Sequence, residues 1–276
     1  MKKIFISYAD ENMAYSLKRI GKQAKSLKMF DDIILWRPND LPSYIRESEL
    51  MRFKRGGGYW AWKPVIIAET LKRYSEDCIV VYCDAGCSLQ KSVDWNRYFN
   101  LIKEKDTICF EYNDTMEVWS KFGQTSSKIK YWTKGLTINF FNNLLQDENY
   151  SEKYNKIWGG LMICKGLNNN FIKKWLELTL KYPELVMDNH EKDADYKNSE
   201  LSFHKHDQSL ITPLAHFYSD EVMILPKNFD TINQAAVLPT RYRARTFKDG
   251  ILIDFKSAMR RIFGSNLIGK IKSILK

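Results

Sequence analysis

Three short stretches of the chain concentrate side chains able to do polar chemistry. Asp84 ends the apolar run Cys78-Ile-Val-Val-Tyr-Cys83 and is followed by Ala85 and Gly86. His204-Lys-His-Asp-Gln208 holds two of the four histidines in the chain beside an acid and an amide. Lys54-Arg-Gly-Gly-Gly-Tyr-Trp-Ala-Trp-Lys-Pro64 packs three glycines, three cations and three aromatic rings into eleven residues. A carboxylate at the carboxyl end of a buried strand stands where open α/β sheets bind their ligands. Asp207 with Gln208 suits hydrogen bonding to a hydroxyl-rich ligand, or general-base work. His204 or His206 could join Asp84 on a metal ion. In the third stretch, Gly58 and its neighbours offer backbone N–H groups, Lys63 offers positive charge, and Tyr59 and Trp62 offer aromatic faces. That combination fits a phosphorylated ligand carrying a base or a sugar. Each stretch also has a structural alternative: Asp84 as a turn residue, Asp207 as a helix cap, and the aromatic loop as packing between helix and sheet.

The elements that must position these groups read as α/β. The Cys78–Cys83 run is short, apolar and without alternation, as expected for a strand buried on both faces of a mostly parallel sheet. Lys3–Tyr8 reads as a first strand, Asp10 as a helix cap, Met13–Lys28 as an amphipathic helix and Asp32–Trp36 as a second strand. This opening implies a right-handed parallel crossover. A short helix is expected over Ser43–Phe53, another from Pro64 into the Cys78 strand, and a third over Val93–Ile102. Thr107–Tyr112 reads as a strand, and Gly135–Leu145 and Asn170–Tyr182 as helices. Ile157–Cys164 reads as a buried strand opened by Gly159 and Gly160, whose missing side chains would let a ligand approach the backbone. Val222–Leu225 is expected to be the last strand. The polar segment from Asn113 to Tyr131 is expected to be an irregular loop.

Composition sets the bounds. With 276 residues, 44% hydrophobic and 14% aromatic, the chain can bury one large core and is not a disordered polymer. Five cysteines without paired CxxC spacing argue against a disulfide framework or a zinc site. No apolar run is long enough to span a bilayer and the N-terminus lacks a secretory apolar core, so a cytoplasmic protein is expected. The formal charge is +10, and Arg241–Lys276 holds ten Lys/Arg against two Asp, a net +8 that leaves +2 for residues 1–240. Such localised charge suggests an anionic partner surface.

The order Gly-Tyr-Trp-x-Trp-Lys-Pro, helix, then Tyr82-Cys-Asp-Ala-Gly86 resembles a group of bacterial glycosyltransferases of surface polysaccharide synthesis (capsule, O-antigen or lipooligosaccharide). These resemble the nucleotide-sugar-binding GT-A fold, a Rossmann-like α/β domain. The resemblance implies a donor site at Asp84, Ala85 and Gly86. It also implies a sugar or acceptor pocket at Trp158, Gly159 and Gly160, with His206 close by, and sugar contacts or catalysis by Asp207 and Gln208. In that fold an Asp-x-Asp motif holds Mn²⁺ or Mg²⁺ on the donor pyrophosphate, where it stabilises the charge of the leaving group. Here Gly86 stands where the second acid would. Asp84 would then hold a metal with outside ligands, His204 or His206, or lysines and arginines would do the work instead. The loop fits neither a Walker A nor a GxGxxG pattern. Separately, Phe5-Ile-Ser-Tyr8 and the acidic residues after it resemble the start of a TIR domain, a signalling or NAD-cleaving module, over this opening segment alone.

Arg241, Arg243 and Arg245 alternate and would project to one side of an extended segment, suited to a diphosphate or to lipid phosphates. From Ile251 onward apolar residues interleave with Lys256, Arg260, Arg261, Lys270, Lys272 and Lys276 in an amphipathic basic pattern. The resemblance and the charge pattern together imply an α/β glycosyltransferase domain over 1–240 and a basic amphipathic tail over 241–276. The expected partners are a nucleotide-sugar donor, UDP-linked by preference, a polysaccharide or lipid-linked glycan acceptor, and the anionic inner face of the cytoplasmic membrane, without nucleic acid. The alternative from another class is a non-catalytic membrane- or nucleic-acid-binding module driven by the tail.

Overall fold

The computed structural model describes residues 1–74, 78–114, 124, 126–227 and 235–257. The tail beyond 257, and residues 115–123 and 125 of the expected loop, lie outside the described residues. The chain forms β1 (Lys2–Tyr8), α1 (Ala14–Leu27), β2 (Asp32–Trp36), the single turns α2 (Ser43–Arg46) and α3 (Gly56–Tyr59), then α4 (Trp62–Tyr74) and β3 (Cys78–Cys83). There follow β4 (Ser88–Leu89), α5 (Asp94–Leu101), β5 (Thr107–Glu111), α6 (Gly135–Leu145), the single turn α7 (Tyr150–Lys153), β6 (Leu161–Lys165) and α8 (Asn170–Lys181). The order closes with α9 (Asp207–Phe217), β7 (Val222–Pro226) and β8 (Val237–Leu238), and the residues described at 247–257 are helical.

The main sheet has the order β2-β1-β3-β6-β5-β7. All its neighbours run parallel except at β6, which is antiparallel to both β3 and β5. A mostly parallel α/β sheet is therefore what the chain builds. The period-2 alternation of its strands divides the core into two layers. Ile4, Ile6, Val80, Tyr82 and Met162 face a layer shared with α4, α8 and α9, through residues such as Val65, Trp175 and Leu210. Phe5, Val81, Cys83, Leu161 and Ile163 face the layer under α1 and α5, with Leu17, Ile20, Trp95 and Phe99. Every residue of β3 is buried, because helices cover both faces of a central strand. All five cysteines are free and buried within these layers.

Two elements differ from expectation. The helix expected over Ser43–Phe53 is two separate turns, α2 and a 3₁₀ turn at Glu49–Arg52. The strand expected from Ile157 begins only at Leu161, and Gly159-Gly160 form a turn instead. A Cβ on Gly160 would lie 2.4 Å from the Trp158 ring, so the chain folds back on itself there rather than extending. Asp10, as expected, caps the short turn that leads into α1, accepting from Asn12 N at 3.0 Å.

Residues 241–244 lie against this body. Tyr242 N donates to Gly86 O at 2.8 Å, and Ser16 Oγ donates to Tyr242 O at 2.9 Å. Tyr242 and Ala244 are buried while Arg241, Arg243 and Arg245 are exposed, the alternation that their spacing implied. The backbone is not uniformly extended, however, since Arg241 has φ 50°.

Candidate functional site

Three backbone devices bring the polar stretches together. β3 delivers Asp84 to its carboxyl end, and Asp84 N donates to Gly160 O at 3.0 Å, tying the strand to the Gly159-Gly160 turn. The glycine loop turns through Gly57 (φ 58°) and Gly58 (φ 97°), conformations that disfavour side chains. A Cβ on Gly58 would also sit 2.6 Å from Met51 Sδ, so the role of this glycine is to make the turn. The loop then feeds α4, whose second residue is Lys63. Finally, α9 opens at Asp207, with His206 at the N-cap position making no side-chain cap.

Lys63 is 2% exposed, and its ammonium gathers the site. It donates to Asp207 Oδ2 at 2.6 Å and to the Gly159 carbonyl at 2.9 Å, and lies 3.4 Å from Asp84 Oδ1. Tyr82 hydroxyl also donates to Asp84 Oδ1. Burial would lower the amine pKa, but Asp207 and Asp84 outweigh burial and hold it above its ordinary value. Burial raises the Asp207 carboxyl above the usual range; Lys63 opposes this and Asp84 reinforces it. One cation thus faces two acids, and only Asp84 reaches solvent, its side chain 36% exposed against 4% for Asp207. A Cβ on Gly159 would stand 2.7 Å from Asp207 Oδ2 and 3.1 Å from Lys63 Nζ, so only glycine admits this arrangement. Next to Asp207, Gln208 Oε1 is buried and has no hydrogen-bond partner among the described residues. It is a ready acceptor for a ligand hydroxyl.

Several expected residues occupy places other than those anticipated. Asp207 is not the cap of α9; its side chain is committed to Lys63. Trp62 is buried and stacks on Tyr8 at 4.0 Å, while its indole N–H donates to Gly56 O. Tyr59 is buried against Phe53 and His206. These rings fasten the glycine loop to the core. Lys63 balances charge inside the site rather than presenting a free cation. Gly86 approaches nothing closer than 3.5 Å through an added Cβ, and its carbonyl is held by Tyr242 N and by Thr240 Oγ1 at 2.9 Å.

The metal expectation meets a poor donor set. His206 is 2% exposed; its Nδ1–H donates to Val186 O at 2.8 Å, so Nε2 accepts from Arg55 Nε at 2.9 Å. His204 Nε2–H likewise donates to Leu185 O at 3.1 Å, and its Nδ1 accepts from Lys134 N at 3.3 Å. Both ring nitrogens of each histidine are engaged, and Asp84 Oδ1 already carries Tyr82 and Lys63. Among the described residues no group of three or more His, Cys, Asp or Glu is arranged to hold a metal ion. The residues present do not fit a divalent cation at this site.

A cluster of lysines with no role expected from the sequence lies beside the acids. Lys156 and Lys227 share the ring of Tyr112, at 4.6 and 3.7 Å from its centroid. Lys156 and Lys205 share the ring of Trp132, at 4.4 and 5.1 Å, and Lys227 also covers Trp158 at 4.1 Å. Lys156 and Lys227 are buried, and burial pulls both amines well below their ordinary range, helped by neighbouring positive charge that includes Arg241. Lys205 falls to about 8 through burial and the proximity of Arg241 and Arg55. The sequence signal was slight: Lys227 directly follows the apolar strand Val222–Pro226, and Lys156 directly precedes Ile157-Trp158. Arg241 joins this group through its charge. A separate cavity of about 300 Å³ along α1, lined by residues including Tyr15, Lys18 and Lys22, contains none of these residues.

No protein-family model matches the chain, and no curated protein matches it. Among solved structures it is similar to mouse xyloside xylosyltransferase 1, with 8% identity over 82% of this chain and 85% of that one, at a TM-score of 0.42. It is similar to a glycosyltransferase involved in glycosylation of the major capsid of PBCV-1, with 9% identity over 66% and 69% and a TM-score of 0.38. It is also similar to 4-diphosphocytidyl-2C-methyl-D-erythritol synthase from Anaerococcus prevotii, with 11% identity over 93% and 98% and a TM-score of 0.42. Likenesses of this size assign no chemistry, and the functional reading rests on the site.

Two outcomes follow from the geometry. Lys63→Met strands two acids around a buried apolar side chain and is expected to destabilise the fold by about 3–5 kcal/mol in urea titration. Adding Asp207→Asn should restore part of that loss. The second outcome concerns acid lability. Burial lowers the pKa of His204 well below its ordinary value, and those of His206 and His216 to about 4. The unfolded chain therefore binds protons that the folded chain refuses between about pH 6.5 and 4, and stability falls through that window by up to about 1.4 kcal/mol per pH unit per group. Urea midpoints at pH 7.5 and 5.0 measure this, and His216→Gln should shrink the difference.

Proposed function

We propose that the chain is a glycosyltransferase that moves a sugar from a nucleoside diphosphate donor to a hydroxyl acceptor. The observation that carries the reading is the Lys63-centred junction. It holds an accessible carboxylate, a buried carboxylate of raised pKa and an amide with an unpartnered carbonyl oxygen at the carboxyl ends of the sheet.

In this reading Asp84, Ala85 and Gly86 border the donor, Gln208 accepts from a sugar hydroxyl, and Asp207 orders the sugar or takes the acceptor proton. The bond between the anomeric carbon and the diphosphate oxygen breaks, and its electron pair leaves on the nucleoside diphosphate. The acceptor oxygen forms the new bond to the anomeric carbon and releases its proton to a base. Trp158, Gly159 and Gly160 border the sugar or acceptor. A UDP-linked donor and a bacterial surface glycan or lipid-linked acceptor are the finer assignments, and they rest on the resemblance carried by the Gly-Tyr-Trp-x-Trp-Lys-Pro and Tyr-Cys-Asp-Ala-Gly motifs.

Association with an anionic membrane surface is the companion proposal. Phe247, Ile251, Leu252 and Phe255 are exposed on one helix that also carries Lys248, Asp249, Asp254 and Lys256, and this exposed apolar set supports it. Among the described residues no helix is long and apolar enough to cross a membrane.

A thermal-shift panel of UDP, GDP, CMP and dTDP compounds, with and without Mn²⁺, tests the transfer reading. At one hundred times Kd a true ligand adds about 2.7 kcal/mol, enough to raise Tm by several degrees. Asp207→Asn should abolish turnover of the nucleotide sugar whose nucleotide binds. Absence of a shift with every compound would contradict the reading.

A further inference from the structure

One buried ring gathers a set of partly exposed side chains that the transfer step leaves unused. His206 has Tyr59 and Trp60 against it, each with ring centroids 5.2 Å apart, and Phe203 edge-on at 6.3 Å. Arg55 Nε donates to His206 Nε2 at 2.9 Å and lies 3.3 Å from Asp188 Oδ2. The guanidinium carbon stands 4.4 Å from the centre of the Phe203 ring, which Lys205 Nζ flanks at 4.5 Å. His206 and Tyr59 are buried, but Phe203 is 37% exposed and Trp60 is half-buried. The side chains of Arg55 and Asp188 are 36% and 33% exposed. Two aromatic rings, a guanidinium and a carboxylate thus reach solvent around one buried imidazole.

This face is built rather than incidental. Trp60 holds φ 60° and His206 holds φ 49°, conformations that cost a non-glycine residue and persist where surrounding contacts impose them. A Cβ on Gly56 would run into the Trp60 ring, so the glycine loop leaves room for that indole. The His206 bond to Val186 O fixes the imidazole to the segment that carries Asp188. His206 directly precedes Asp207, and Lys63 Nζ lies 6.0 Å from the Trp60 ring, so the face adjoins the reacting groups. It belongs to a different layer from the donor segment. Tyr59 and Trp60 pack with the α4, α8 and α9 layer, whereas Ala85 and Cys87 pack with the layer under α1 and α5. Arg55 spends Nε on His206 and Asp188, and its two Nη atoms meet no hydrogen-bond acceptor among the described residues.

We infer that Phe203, Trp60, Arg55 and Asp188 form a subsite for a pyranose residue of the acceptor glycan. The inference rests on the transferase reading and assigns its acceptor side to a face apart from Trp158, Gly159 and Gly160. The apolar surface that Phe203 and Trp60 leave to solvent suits the C–H face of a sugar ring, whose polarised hydrogens are drawn to aromatic electrons. Sugar hydroxyls at the rim accept from the planar guanidinium fork and donate to the carboxylate. A few directed polar groups around aromatic surface are the usual composition of a small-ligand site. His206 does not touch the sugar in this arrangement; it positions Arg55 and Phe203 relative to Asp207.

Saturation-transfer NMR of the full chain tests the inference, with the methyl pyranosides of glucose, galactose, mannose, N-acetylglucosamine and glucuronic acid as probes. Each is measured with and without UDP, GDP, CDP or dTDP. At least one pyranoside should take up saturation on its ring protons. Phe203→Leu, which keeps an apolar side chain but removes the ring, and Arg55→Ala should each weaken its binding about fivefold or more. Phe203→Trp should retain it, a distinction that a merely structural role would not make. Phe217→Ala, an exposed ring at the last position of α9, should leave it unchanged. Circular dichroism confirms that each variant is folded. If a nucleotide raises Tm but no pyranoside takes up saturation, or if Phe203→Leu and Arg55→Ala bind as tightly as the natural chain, the subsite is overturned and the transferase reading stands. Pyranoside binding that needs Phe203 and Arg55, in a chain that no nucleotide stabilises, overturns the transferase reading and leaves a sugar-binding face. Failure of both ligand classes overturns both.

Discussion

The structure depends on one buried ammonium group. Lys63 has Asp207 at 2.6 Å, Asp84 at 3.4 Å and the Gly159 carbonyl at 2.9 Å, and these partners come from α9, the end of β3 and the turn before β6. An unpaired lysine there would cost several kcal/mol, so each segment must be in place before the amine can be buried charged. The glycine loop exists to bring Lys63 to that point. Its positive φ angles at Gly57 and Gly58 and the stacked Tyr8–Trp62 pair set where α4 begins. Gly159 leaves the room that a side chain would fill. The same contact that closes the fold therefore aligns the groups of the candidate site.

The electrostatic consequence is a division of labour at the carboxyl ends of the strands. Lys63 consumes the charge of the buried acid and leaves Asp84 facing solvent. Arg241, exposed, and Lys205, half-buried, bring positive charge beside these acids. Negative and positive regions side by side suit a ligand with a neutral, hydroxyl-rich end and an anionic end. A sugar joined to a diphosphate is such a ligand.

Much of the fold was legible because it rests on local signals. The short apolar run Cys78–Cys83 read as a doubly covered strand, and the 3.6-residue spacing of Leu17, Ile20 and Ala24 gave α1 its inner face. Gly159-Gly160 was misread as strand, since local apolar pattern does not reveal that Trp158 folds over Gly160. In the site, Asp84, Asp207, Gln208 and Lys63 were found as residue types in suggestive company, and the structure brings them to one place. Their partnership was not legible, since Lys63 and Asp207 are separated by 144 positions. The histidines were misjudged for a related reason: His204 and His206 look like ligands in sequence, yet the backbone carbonyls of Leu185 and Val186, far from them in the chain, claim their ring nitrogens. The lysine cluster was missed because each member is an ordinary lysine until Tyr112, Trp132 and Trp158 assemble around it.

The central claim is that the bond broken lies between the sugar carbon and the diphosphate. ³¹P NMR of the full chain incubated with UDP-, GDP- and dTDP-linked sugars reads this directly through slow hydrolysis of the donor, water standing in for the acceptor. The account predicts the paired resonances of a free nucleoside diphosphate, and their loss in Asp207→Asn. A nucleoside monophosphate together with a sugar phosphate would mean cleavage between the two phosphorus atoms, and would contradict it.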